Sequence, residues 1–143
     1  MASASVVAIA ALAIAVAAAI KRAPPSFAGP PIATVRDASQ QQALWSIRIA
    51  ADAHQLAADA LTAAPAPPPG RAYQLWLQTP VGPRTLGLLP TAGREVIPEI
   101  PAIAARLSSG AGEVLVSLEP ARGSIAPGPS GPVLFRAPFR AGG

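Results

Sequence analysis

A single histidine narrows the chemistry open to this chain. His54 is the only one among 143 residues and there is no cysteine, so neither a multi-histidine zinc site nor a thiolate site can be assembled. The seven carboxylates form no tight run that would hold a hard cation. On paper His54, with Asp52 or Asp59 and one of the serines, could make a Ser-His-Asp arrangement, but no nucleophile elbow accompanies them. His54 therefore reads as a surface residue in polar surroundings. Glu119-Pro120 is a different kind of candidate: an acid at the end of a strand-like run, which can receive a ligand or accept hydrogen bonds from the following turn. The second use is the commoner one. The stretch from Gly123 to Gly131 looks glycine-rich, yet it lacks the lysine and spacing of a phosphate loop, and its prolines remove the donors a cradle needs. It reads as a long loop. No catalytic, metal or cofactor constellation emerges, and the expectation is a protein that is not an enzyme.

What positions these residues is a set of short strands. Tyr73-Gln74-Leu75-Trp76-Leu77 contains the only tyrosine and one of the two tryptophans, the largest apolar surface the chain can concentrate in one place. Alternation sets Tyr73, Leu75 and Leu77 on one face and Gln74, Trp76 and Gln78 on the other, and the polar tips of Tyr73 and Trp76 need partners. The Tyr73 and Trp76 pair reads as core and not as an exposed ligand platform. Leu44 to Ala50 alternates in the same way, with Trp45, Ile47 and Ile49 facing inward. Glu113 to Glu119 sets Val114, Val116 and Leu118 against Glu113, Leu115, Ser117 and Glu119. Further strands are expected at Ile32 to Arg36, Arg84 to Leu88, Glu95 to Ile97 and Val133 to Phe135, with a hairpin turn at Pro80-Val81-Gly82-Pro83. Residues Ala50 to Ala64 are ambiguous between helix, by alanine propensity, and strand. A brief helix is expected from Pro101 to Leu107. Tyr73, Leu75, Trp76, Trp45, Val114, Val116 and Leu118 are expected to share one core.

Composition agrees with this. Eighteen prolines and twelve glycines favour short segments and turns over long helices, while 51% hydrophobic against 13% charged residues opposes disorder. The net charge of +4 comes from arginines scattered singly between Arg36 and Arg140 together with Lys21-Arg22, a poor footprint for nucleic acid. Ala2 to Ile20 carries no charge, and at about 1.5 Å per residue it approaches a hydrocarbon thickness of about 30 Å. It is expected to be a transmembrane helix (2–20), ahead of a proline-rich linker (21–31) and one domain (32–140). Cleavage as a signal peptide is the rival, but no basic residue precedes the apolar run.

Arg71-Ala72-Tyr73-Gln74-Leu75-Trp76-Leu77 resembles the signature of the C-terminal domain of membrane-bound anti-sigma factors, of the anti-sigma-K type. Leu86-Gly87-Leu88-Leu89, Val116-Ser117-Leu118-Glu119-Pro120 and Gly131-Pro132-Val133-Leu134 resemble the family's later strands in the right order. The structural motif residues are then Tyr73, Gln74, Leu75, Trp76, Gly87, Leu118, Glu119 and Pro120. The pattern departs at Arg122-Gly123-Ser124, where two glycines are expected before the serine.

The resemblance implies an antiparallel β-sandwich of about seven short strands, and it favours a strand before Pro65 in the ambiguous segment. It also implies a function: a membrane-anchored anti-sigma factor whose extracytoplasmic domain controls an extracytoplasmic-function sigma factor, and so transcription, through regulated proteolysis by an envelope protease. The family's cytoplasmic sigma-binding domain has no counterpart here, so contact with the sigma factor is expected to run through an upstream segment. The implied placement is single-pass, with the C-terminal domain periplasmic. Lys21 and Arg22 oppose that, because basic residues favour the cytoplasmic side. The alternative is an exported or membrane-tethered ligand-binding module.

Overall fold

The computed structural model describes residues 24–52, 54–98 and 110–140. The expected membrane helix from Ala2 to Ile20 and the short helix from Pro101 to Leu107 lie outside them. Among the described residues no helix is long and apolar enough to cross a membrane.

Eight strands follow one another: β1 (Ala33–Arg36), β2 (Ala43–Ile49), β3 (Gln55–Ala60), β4 (Arg71–Thr79), β5 (Gly82–Leu88), β6 (Gly93–Pro98), β7 (Ala111–Pro120) and β8 (Val133–Arg140). The ambiguous stretch resolves as β3. Leu56 and Ala58 face the core, and β3 is paired on both sides, with β2 and with β6. Two filled hydrogen-bond ladders outweigh the helix propensity of its alanines.

The all-β, antiparallel reading holds, but the layering differs from the expected sandwich. All eight strands belong to one sheet in the order β5-β4-β7-β8-β1-β2-β3-β6. Antiparallel strands twist and bulges add curvature, and the register shifts at Val35/Arg36, Leu75/Trp76 and Val116/Ser117. The sheet therefore coils on itself until its edges β5 and β6 nearly meet. At that seam Gly87, with φ +153°, stands where an added Cβ would lie 3.2 Å from Ile97. A side chain there would crowd Ile97 and strain the backbone.

The inside of the coil is a single apolar cluster. Val35, Trp45, Ile47, Leu56, Leu75, Leu77 and Val116 are fully buried in it. Trp45 packs edge-on to Tyr73 at 5.2 Å between ring centroids and leans on Phe135 at 5.9 Å. Its indole N–H donates to the carbonyl of Pro90 at 2.9 Å, and the Leu89 amide donates to Tyr73 O at 2.8 Å. These two bonds tie the start of the link between β5 and β6 to β2 and β4. Val114 and Val116 belong to this core and Leu118 packs against it, as the alternation implies. Trp76 does not share it. It is buried, but on the opposite face of β4.

Trp45→Phe is expected to cost about 2–4 kcal/mol, because it orphans a carbonyl and leaves a void at the closure. Urea unfolding followed by the emission of Trp76 checks this.

Candidate functional site

The outer face of β4 and β7 carries the most elaborate polar arrangement of the domain. Register sets Gln74 opposite Ser117, Trp76 opposite Leu115 and Ala72 opposite Glu119. Alternation therefore gathers one aromatic and three polar side chains on a face that strands would ordinarily turn to water. Trp76 donates its indole N–H to Ser117 Oγ at 2.8 Å, and Ser117 Oγ donates to Glu119 Oε1 at 2.7 Å. Gln74 donates to Thr85 Oγ1 at 2.7 Å.

This face is covered by the loop after β7. Ser124 donates its amide to Gln74 Oε1 at 2.8 Å, and Gly128 approaches Pro83 of β5. The loop then returns to Glu119, whose carboxylate accepts the Ser130 amide at 3.0 Å, the Gly131 amide at 3.2 Å and the Ser130 hydroxyl. Glu119 has no exposed surface. Burial pushes its carboxyl up, but the Ser130 and Ser117 hydroxyls and the Gly131 and Ser130 amides outweigh this, leaving it below its ordinary value of 4.5. The carboxylate is thus the buried anchor of a strap over Trp76, the turn-satisfying role expected of a strand-end acid.

The motif residues divide between the two faces. Tyr73 and Leu75 enter the core and Leu118 packs against it, and burial pushes the Tyr73 phenol up. Gln74, Trp76 and Glu119 build the strap, Gly87 lies at the seam, and Pro120 ends β7. The departure at Arg122-Gly123-Ser124 is accommodated: Gly123 alone takes φ +89°, and Gln40 is the one non-glycine with positive φ among the described residues. Arg122 needs no left-handed backbone and stays exposed. Gly131 allows the strap to return, since a Cβ there would lie 1.8 Å from Leu118 O.

The Ser-His-Asp arrangement conceivable on paper is not assembled. His54 is exposed in the β2–β3 turn, its amide bonded to Asp52 Oδ1 at 3.0 Å, while Asp59 pairs with Arg94 at 2.6 Å. No group of three or more potential metal ligands occurs among the described residues.

The sequence reading missed a second arrangement, in the lead-in to β1. Residues 24–31 hold no strand or helix, as a proline-rich spacer implies. They are nevertheless docked: Phe27 is buried against Ala50 and Ala57, Arg94 stacks over its ring at 5.3 Å, and Ser26 O accepts the Ala51 amide at 3.1 Å. The available signal was Phe27 itself, a lone aromatic residue in a proline-rich stretch. Ser117 and Ser130 were missed as partners of Trp76 and Glu119, although Ser117 shares their predicted face.

The described residues thus define a class: a small antiparallel β-domain, coiled almost closed, with a strapped outer face and a docked lead-in. The chain belongs to the family described as "Anti-sigma-K factor rskA, C-terminal", whose sequence model matches residues 2–133. It is the C-terminal part of an anti-sigma factor, a class of protein whose partner is a sigma factor. No curated protein and no solved structure matches it.

Trp76→Ala is expected to cost about 3–5 kcal/mol despite its outward strand position, because the strap buries it. Chemical unfolding monitored by circular dichroism measures the loss. The depressed Glu119 pKa gives stability that is present above about pH 4.5 and lost as pH falls through the folded-state value. Asp37, lowered mainly by its bond from the Ser39 hydroxyl, contributes in the same direction. Glu119→Gln is therefore expected to be less stable at neutral pH and to show a shallower loss on acidification than the parent, read from denaturant midpoints between pH 7 and pH 3.

Proposed function

We propose that this chain is the membrane anchor and extracytoplasmic domain of an anti-sigma factor for an extracytoplasmic-function sigma factor. The domain regulates inhibition and does not perform it or catalyse a reaction. Proteolysis near the membrane by an envelope protease releases the sigma factor. The observation that carries this reading is the span of the family match, residues 2–133, which takes in both the uncharged apolar segment and most of the β-domain. A segment of that length and composition suits a bilayer, and a domain joined to its far side cannot touch a cytoplasmic partner. The absence of a catalytic cluster in the sequence supports a regulatory role.

Two measurements test it. The full chain is expected to resist alkaline extraction from membranes, and a periplasm-dependent phosphatase fused after Gly143 is expected to be active. A soluble product beginning near Lys21 would instead favour the exported binding module. The purified domain is expected not to bind a candidate sigma factor encoded near it; saturable binding with loss of promoter-specific transcription would make the β-domain itself the inhibitor.

A further inference from the structure

The lead-in is fastened by more than the burial of one ring. Phe27 lies on the outer face of β2 and β3, over Ala50 and Ala57, whose methyl side chains leave room for a benzyl group and are themselves almost fully covered. Arg94, on the edge strand β6, stacks over the ring. It is held there by two bonds to Asp59, from Nε at 2.6 Å and Nη2 at 3.1 Å. The same carboxylate lies 3.8 Å from Arg48, and Arg48 donates to the carbonyl of Gly29. One aspartate thus orients two arginines, one over the Phe27 ring and one on the Gly29 backbone. The Ser26 carbonyl is taken by Ala51.

A protease needs several consecutive residues extended in its cleft with their backbone groups free. Ser26, Phe27 and Gly29 are all engaged. Besides the buried ring and one backbone bond, the contacts that engage them are a cation over a ring and partly exposed ion pairs, and Phe27, Ala50 and Ala57 form a cluster separate from the main core.

We propose that this clasp locks the release step: while Phe27 is seated, residues 24–31 are protected from cleavage, and cutting there follows its unseating. The biological meaning rests on the proteolytic-release reading above, whereas the lock is a property of the chain itself.

The test is chymotrypsin cleavage after Phe27 in the full chain reconstituted in vesicles, compared with a free peptide of residues 22–33. The parent chain is expected to be cut at least tenfold more slowly than the peptide. Arg94→Ala, which removes the stacked cation from an exposed edge, is expected to speed the cut threefold or more. Ala57→Leu, which fills the socket, is expected to bring it within a few-fold of the peptide rate. Both variants leave the cleaved sequence intact, and thermal midpoints read from tryptophan emission establish that they are folded; if Ala57→Leu is not, Arg94→Ala decides. A parent chain cut as fast as the peptide, or folded variants cut no faster than the parent, would overturn the lock. In cells where a sigma-binding segment precedes this chain, a sigma-dependent reporter unchanged by a variant that opens the lock in vesicles would overturn the release reading and leave the lock standing.

Discussion

The arrangement of the outer face depends on one buried carboxylate. Removing Glu119 from water is unfavourable unless its oxygens are met by donors, and the donors come from two places: Ser117 on its own strand, and Ser130 and Gly131 at the far end of the loop. Because the second set is separated from it by a stretch rich in proline and glycine, satisfying the charge also fixes where that stretch runs. The loop has no secondary structure of its own to guide it; the carboxylate and Gln74 do so instead. Trp76 benefits directly, since the strap that completes the Glu119 shell also keeps the indole from water.

The same economy of side chains shapes the rest of the domain. Six aromatic residues must serve a sheet of eight strands. Trp45, Tyr73 and Phe135 cluster inside it, Trp76 seals one outer face, and Phe27 seals another. Alanine makes the last of these possible. Ala50, just past β2, and Ala57 of β3 give the sheet a shallow outer surface on which an aromatic ring can be buried, something larger side chains at those positions would prevent. The residues that made the segment look helical are there to be small.

For an anti-sigma factor, these two outer-face devices differ in strength. The strap is built on a fully buried charge with several donors, and opening it exposes both that charge and a tryptophan. The lead-in is held by one ring and by ion pairs that solvent reaches, so it is the weaker of the two. The release proposed above suits this division, with rigidity at one part of the outer face and a more loosely fastened segment at another.

Much of the fold was legible in the sequence, because period-two alternation and turn residues are local properties: β1, β2, β4, β5, β6, β7 and the start of β8 are read from short apolar runs and the turns that bound them. The family motif was legible for the same reason, since its residues lie in contiguous blocks. Tertiary structure decided what depends on residues far apart in the chain. Whether the strands stack as two sheets or coil as one rests on which strands pair, and here one sheet with bulges coils until it is nearly closed. Whether Ala50 to Ala64 is helix or strand rests on partners on both sides. Alternation could place Trp76 opposite Tyr73, but only the returning loop could bury it, by meeting a carboxylate eleven residues before its own serine. Phe27 lay in a stretch whose prolines rule out a ladder, and its seat is made from β2, β3 and β6, three strands that the sheet alone brings together.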